Sequence, residues 1–279
     1  MRHGAPGLLF YVGRAASVTA AIGFAWLAYA YLTLPDVRPL STINPTTTAF
    51  IDLRASEARA SGKQPRRLQH WVRYGQISPN LKRAVLVAED DAFWQHEGID
   101  VEQVRESLEI DWARGRIVRG ASTITQQLAK NLYLSPSQNP IRKFRELILA
   151  RRLEAALTKA RILELYLNVV EWGDGVYGAD AAASTYFSRR ALELSPSQSA
   201  LLAGALVNPR LLNPAHPTPR LLGRQQLILR RMGSVAPPEA PPPQPDVNSE
   251  PAAPSEVVDD PGPAPVPSDG SSDSPHGQD

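Results

Sequence analysis

The pattern of apolar and polar positions divides the chain into four parts. From Ala15 to Leu34 it contains 20 residues without a charge. A helix of that length, at about 1.5 Å per residue, would cross the roughly 30 Å apolar core of a bilayer. Apolar residues at helical spacing follow over 68–232. The pattern predicts a transmembrane helix over 15–34, a juxtamembrane connector over 35–67, a globular domain over 68–232 and a separate tail over 233–279.

The starts of several helices are marked by a capping residue directly before a proline. A Ser or Asn side chain can accept from free amide groups of the first turn, and proline suits the first helical position. Each of these pairs precedes an apolar helical pattern, and no convincing run of alternating strand residues is present. The domain is therefore expected to be mainly α. The three pairs are Ser78-Pro79, Asn139-Pro140 and Ser195-Pro196.

The glycines Gly173, Gly175 and Gly178 spell G-x-G-x-x-G. That motif indicates a dinucleotide site when it follows a strand inside a βαβ unit. Here it follows the helical pattern ARILELYLN. We therefore predict that these glycines shape a loop between two helices, and no nucleic acid or nucleotide partner is expected.

The composition of the tail changes the electrostatic picture of the rest of the chain. The last 45 residues hold 13 of the 26 prolines and nine of the 28 acidic residues, without any Lys or Arg. Such a segment cannot bury enough apolar surface to fold, so it is expected to be disordered. The preceding residues keep all 30 basic residues against 19 acidic ones. This excess suits either an anionic membrane surface or an anionic ligand.

Charges beside the apolar helix predict its orientation. Arg2, His3 and Arg14 precede it, and such a bias keeps the short amino end, residues 1–14, in the cytoplasm. Everything after Leu34 would then lie on the extracytoplasmic side. Because the chain has no cysteine, thiol catalysis, disulfides and cysteine metal sites are excluded.

A first candidate for catalysis lies in AEDDAFWQHEG, residues 88–98. Leu81, Ala84, Val85 and Ala88 form the apolar stripe of the preceding helix, and Glu89 borders that stripe at the helix end. A carboxylate on an apolar wall is expected to have a raised pKa, as a general base or acid requires. The alternative is a solvated or paired glutamate at a helix end.

Two further segments concentrate polar and cationic residues. RGASTITQQLAKN, residues 119–131, predicts a glycine turn and a helix capped by Ser122, whose free amides and Lys130 could bind an anion. In NPIRKFRELILARRLE, residues 139–154, Glu146 lies among Arg142, Lys143 and other cations. The plainer alternatives are an ordinary capped helix and a salt-bridged surface helix.

Together these segments resemble the peptidoglycan glycosyltransferases of family 51. The match covers about Leu68 to Met232, and the segments follow the family motifs in order and spacing. With one anchor and no following penicillin-binding domain, the chain resembles the monofunctional biosynthetic branch. The matching segments are EDDAFWQHEG, GASTITQQLAKN, RKFRELILARRLE, ILELYLNVVEWGDGVYGADAAASTYF and ALLAG.

The resemblance implies a lysozyme-like fold with a smaller membrane-associated jaw. It also implies polymerisation of lipid II into glycan strands, with inversion at MurNAc C1 and release of undecaprenyl pyrophosphate. Glu89 matches the family's general base, and Glu146 matches its second glutamate on the leaving-group side. The residues expected to bind the substrate are Ser122, Gln127, Lys130, Asn131, Arg142 and Lys143. His96, Phe93 and Gly98 are expected to shape the turn.

Further implications concern cofactors and surroundings. No tightly bound cofactor is expected, and Mg²⁺ or Mn²⁺ acting at Glu146 is the candidate for a divalent ion. The expected partners are lipid II, the growing glycan strand, the cytoplasmic membrane and proteins of cell-wall synthesis or division. The catalytic domain is expected on the periplasmic side of the inner membrane.

Two positions depart from the family pattern. Gln138 stands where the family usually has a phosphate-contacting arginine, and Gln198 stands where a glutamate is frequent. We expect Gln198 to be structural, whereas Gln138 would weaken the donor site. Two other functions remain open at this point: a lysozyme-like lytic enzyme, and a catalytically weakened scaffold of the wall-synthesis complex.

Overall fold

A computed structural model describes residues 8–114, 122–134 and 140–234 of the protein. These residues are mainly helical, as the sequence predicts, with three short strands. The helices are α1 (Leu8–Leu32), α2 (Ala49–Ala60), α3 (Pro79–Glu89), α4 (Val101–Arg114), α5 (Ile124–Tyr133), α6 (Pro140–Ala156), α7 (Lys159–Val169), α8 (Ala179–Phe187), α9 (Pro196–Ala205) and α10 (Pro219–Ser234). The strands are β1 (Leu68–Gln69), β2 (Glu171–Gly173) and β3 (Val176–Tyr177).

The capping pairs start helices where the sequence predicts them. Ser78 caps α3 by accepting from the Asn80 amide, and Ser195 caps α9 by accepting from the Gln198 amide. The Gln198 side chain accepts from the Ser195 amide in return, at 3.0 Å. Gln198 thus completes a capping box, which is the structural role expected of it. The third helix begins at Pro140, while Asn139 lies outside the described residues.

Helix α1 is the one apolar helix in the described residues that is long enough to cross a bilayer. Its candidate span is Tyr11–Leu32, with 22 residues, and nearly all of its described side chains are exposed. Such exposure is expected of a helix whose apolar surface faces lipid. The same length and composition also fit a signal sequence, so the helix alone is weak support for an anchor.

The segment over 35–67 contains secondary structure that packs on the domain and is hydrogen-bonded to it. It includes a 3₁₀ turn over Arg38–Ser41 and helix α2, which packs on α5. Arg161 of α7 donates from Nε to the Leu40 carbonyl at 2.8 Å and from Nη2 to Asn44 Oδ1 at 2.7 Å. Because Arg161 is buried, these bonds connect the residues after α1 directly to the core.

The larger of two apolar clusters lies beneath the candidate site. Helix α3 packs against α9 and α10, and α5 packs against α6 and α7. The stripe predicted for α3 is real, because Leu81, Ala84 and Val85 have no exposed surface. Full burial of a leucine-sized side chain stabilises the fold by about 1.5–3 kcal/mol. The carboxyl end of α3 lies beside the amino end of α5, because the Ile124 amide donates to Asp90 Oδ2 at 2.8 Å.

The glycine motif forms a hairpin instead of a plain loop between helices. Strands β2 and β3 pair antiparallel, and β3 also pairs in parallel with β1 at Leu68. Gly175 has φ +69°, and a Cβ there would lie 2.7 Å from the Arg66 carbonyl oxygen. Gly178 has φ +84° and caps α8. Helical periodicity missed these two- and three-residue strands because they are too short to show alternation.

Candidate active site

The candidate site forms where α3 ends and α5 begins. Asp90, directly after α3, is 2% exposed and joins the two helices. Its Oδ2 accepts from the Ile124 amide at 2.8 Å, and its Oδ1 bonds to His96 Nε2 at 2.8 Å. The Gly98 amide donates to His96 Nδ1 at 3.1 Å, so Nε2 carries the proton that Asp90 accepts. Asp90 and His96 therefore join the end of α3 to the start of α5 and to the turn at Gly98.

Thr123, and not Ser122, caps α5. The Thr123 hydroxyl accepts from the Gln126 amide at 3.2 Å and donates to the Gly98 carbonyl at 2.7 Å. The prediction of Ser122 as the cap was wrong by one residue, because Thr123 can satisfy the first turn and the preceding loop together. Ser122 Oγ instead accepts from Lys143 Nζ at 3.3 Å. This contact places Ser122 among the predicted substrate-binding cations.

Glu89 is partly buried at the end of α3. Gln127 Nε2 donates to its Oε2 at 2.9 Å. Burial raises the pKa of Glu89, and the negative charge of the neighbouring Asp90 adds to the rise. The Gln127 hydrogen bond and the positive charges of Arg224 and Lys130 oppose it without cancelling it. A carboxylate with a raised pKa is suited to accept or donate a proton near neutral pH.

Tyr166 and Arg224 belong to these surroundings and were not found from the sequence. Tyr166, in α7, has no exposed surface, and its hydroxyl donates to Gln127 Oε1 at 2.9 Å. Arg224, in α10, donates from Nε to the Gly204 carbonyl at 3.0 Å and acts electrostatically on Glu89. Tyr166 lies on an apolar helical stripe, so its pattern indicates a core residue. Arg224 is one of several arginines in α10, and sequence alone does not single it out.

Glu146 lies at the centre of a second cluster, on α6. It is 3% exposed, and each of its oxygens accepts from one cation. Arg142 Nη1 lies 2.7 Å from Oε2, and Lys143 Nζ lies 2.5 Å from Oε1. Lys143 also donates to Gln126 Oε1 at 3.2 Å. Glu146 thus holds both cations, and Lys143 also contacts the start of α5 at Ser122 and Gln126.

Lys130 lies on α5 under the influence of both carboxylates. Burial lowers the pKa of Lys130, and the neighbouring Arg142 and Lys143 lower it further, while Glu146 and Glu89 oppose that change. In the described part of the chain its ammonium group makes no hydrogen bond. A protonated, partly desolvated amine without a partner can bind a negatively charged substrate group.

The structure brings most of the predicted site residues into two clusters, which Lys130 links electrostatically. Glu89 accepts a hydrogen bond from Gln127, and Lys130 interacts electrostatically with both glutamates. Direct contacts link Ser122, Arg142, Lys143 and Glu146. Asn131 differs, because it is 5% exposed and its Nδ2 donates to the Gln127 carbonyl at 2.8 Å within α5. Gln138 lies outside the described residues.

Several acidic groups near the site accept hydrogen bonds from protein donors. Asp90, His96 and Asp100 lie close enough to resemble a metal cluster. However, Asp90 accepts from two donors, His96 uses both nitrogens, and Asp100 Oδ1 accepts from the Gln103 amide at 2.8 Å. Glu146 likewise has a cation on each oxygen. An ion at Glu146 would share that carboxylate with Arg142 and Lys143, and Mg²⁺ or Mn²⁺ at this position stays a prediction.

Comparisons with known proteins identify the family to which the chain is similar. The model of the family described as Transglycosylase matches residues 57–233. A biosynthetic peptidoglycan transglycosylase of Paraburkholderia xenovorans (strain LB400) is 42% identical over 240 residues, which cover 85% of this chain and 97% of the relative. A protein with the same description from Laribacter hongkongensis (strain HLHK9) is 46% identical over 69% of this chain and 85% of its own length. Another, from Burkholderia lata, is 46% identical over 77% of this chain and 88% of its own.

Proposed function

The chain belongs to the transglycosylase family and is a peptidoglycan glycosyltransferase that polymerises glycan strands, and from this premise we propose its substrate and the roles of its residues. The substrate is lipid II, a disaccharide-pentapeptide on undecaprenyl pyrophosphate. The observation that carries the proposal is the arrangement around α5, where a partly buried carboxylate and a cluster of cations both interact electrostatically with Lys130.

In the proposed reaction, Glu89 is the general base. It accepts the proton of the 4-hydroxyl of a GlcNAc while that oxygen attacks C1 of a MurNAc. The new C1–O bond forms as the bond from C1 to the pyrophosphate oxygen breaks, which inverts the configuration. Its raised pKa brings Glu89 closer to the working pH, where a general base is most effective.

The leaving group is the dianionic end of undecaprenyl pyrophosphate. Lys130, Arg142 and Lys143 provide positive charge where negative charge develops on its oxygens. Glu146 holds Arg142 and Lys143 in place through its two oxygens, and Ser122 shares a hydrogen bond with Lys143. Charge fixed before the reaction needs no rearrangement during it, so it stabilises the transition state more than the substrate.

A reconstitution with purified full-length protein tests this function. Lipid II in detergent is expected to yield glycan polymer and undecaprenyl pyrophosphate. A lipid-free disaccharide-pentapeptide should yield no polymer, because it lacks the pyrophosphate that the cations bind. Polymerisation of the lipid-free substrate, or degradation of added glycan without synthesis, would contradict the proposal.

We also propose that α1 anchors the chain with its catalytic domain on the extracytoplasmic side. The apolar span and the positive residues Arg2 and Arg14 support this orientation. A phosphatase or β-lactamase reporter fused after residue 234 should be active, since both need an extracytoplasmic location. A reporter that works only in the cytoplasm would place the domain on the wrong side for its substrate.

A further inference from the structure

We propose that Tyr166 is a positioning residue, which fixes the Gln127 side chain in the orientation that donates to Glu89. The inference rests on the proposed role of Glu89 as the base. It assigns to a fully buried tyrosine a part in setting the proton affinity of that base.

The direction of the hydrogen bonds follows from the chemistry of the three groups. The Tyr166 hydroxyl and Gln127 Oε1 are 2.9 Å apart, and Gln127 Nε2 and Glu89 Oε2 are also 2.9 Å apart. An ionised carboxylate only accepts, so the amide must present its N–H₂ end to Glu89 and its oxygen to Tyr166. Burial raises the pKa of Tyr166 well above its ordinary value, so its hydroxyl remains a donor across the working range of the enzyme.

The Gln127 amide needs such a partner because its terminal torsion is soft. A half-turn about that torsion exchanges the oxygen and nitrogen at little conformational cost. The exchanged amide would face Glu89 with an acceptor and would no longer stabilise its charge. Among the residues that the structure describes, Tyr166 alone donates to Gln127 Oε1. Asn131 holds the Gln127 backbone carbonyl separately, so Tyr166 acts on the side chain and not on the helix.

The other groups that face Glu89 are charged residues on three segments. Lys130 lies on α5, Arg224 on α10, and Asp90 directly follows Glu89. A Tyr166→Phe substitution leaves all three in place and keeps the ring that fills the core. It removes only the donor that holds the amide. Any change in the proton affinity of Glu89 would then come through Gln127.

The expected signature is a shift in the pH profile of kcat/KM. Because the Gln127 bond favours the ionised form of Glu89, its loss raises the pKa of that carboxyl. The acid limb of the profile should therefore move to higher pH by about one unit, which corresponds to about 1.4 kcal/mol. The plateau at higher pH, where Glu89 is ionised in both proteins, should change much less.

Tyr177→Phe is the matched control. Tyr177 is equally buried, and its hydroxyl has no hydrogen-bond partner among the described residues. Its substitution should leave the acid limb where it is in the wild-type enzyme. A merely structural role for the Tyr166 hydroxyl would lower the melting temperature without moving that limb, and this result would overturn the inference.

A second variant covers the case in which Tyr166→Phe does not fold. Gln127→Met removes the donor to Glu89 at a partly exposed position, and it should move the acid limb in the same direction. An unmoved limb in Gln127→Met would overturn the inference by itself. Where Tyr166→Phe folds, the double variant should move the limb no further than Gln127→Met does, and a further shift would also overturn the inference. Failure of the proposed function is distinguishable, since it would appear as an active Glu89→Gln enzyme.

Discussion

The Asp90→Asn substitution tests whether Asp90 holds the end of α3, the start of α5 and His96 together. Asp90 accepts from the His96 ring and from the Ile124 amide, one donor on each oxygen. An asparagine has one acceptor and one donor end, so one of those donors would face an N–H₂ group. His96 cannot compensate by moving its proton, because its other nitrogen already accepts from the Gly98 amide.

The magnitude follows from the burial of these groups. A hydrogen bond to a charged group contributes about 1.5–3 kcal/mol, and a buried donor left without a partner costs about 1–3 kcal/mol. Since one acceptor remains, we expect Asp90→Asn to destabilise the fold by about 2–4 kcal/mol. In a domain of this size that loss corresponds to a fall in Tm of roughly 5–15 °C. Polymerisation should also slow, because α5 would lose its fixed start beside Glu89.

Asp91→Asn is the control for this experiment. Asp91 is the next residue and pairs with Arg231 at 2.5 Å, but both side chains are about half exposed. Exposed ion pairs contribute about 0–1 kcal/mol, so Tm should change by at most roughly 4 °C. Thermal unfolding of both variants in the same detergent provides the comparison. Equal Tm values for Asp90→Asn and Asp91→Asn would refute the assigned role of Asp90.

Three further predictions concern the cationic side of the site. Glu146→Gln should lower kcat/KM by about 10²-fold, because Arg142 and Lys143 lose the group that orients them. A steady-state rate within twofold of wild type would contradict this. Lys130 has a lowered pKa and loses its charge as pH rises through that value, so the basic limb of kcat/KM should lie below the ordinary lysine pKa of 10.5. In Lys130→Arg that limb should move to higher pH, and an unmoved limb would exclude Lys130 as its cause. Gln138→Arg should raise kcat/KM by roughly 10- to 150-fold at most, nearer the low end, since a charge-assisted contact contributes about 1.5–3 kcal/mol. Unchanged lipid II turnover would mean that the residue at position 138 does not contribute to the donor site.

The sequence predicted the helices and the position of Glu89 because both depend on local patterns. The apolar stripe of α3 fixes where its last residue points, and the Ser-Pro pairs fix two helix starts. Tyr166 could not be assigned to the site, because its role depends on how α7 packs against α5. The hydrogen bonds of Asp90 to α5 and His96 likewise arise from tertiary contacts. The cap of α5 was misplaced by one residue, since Ser122 and Thr123 are both good capping residues and only the loop contact of Thr123 decides between them.

The central claim, that Glu89 is the base of glycan polymerisation, is tested most directly by Glu89→Gln in the lipid II assay. The amide keeps the shape of the side chain but cannot accept the proton, and general-base catalysis contributes about 10²–10⁴ in rate. Glu97→Gln is the control, because Glu97 lies in the same segment with its side chain 80% exposed. We predict that Glu89→Gln stays folded and loses polymerisation by that factor while Glu97→Gln remains active. A Glu89→Gln enzyme that forms polymer at a rate near wild type would contradict the account.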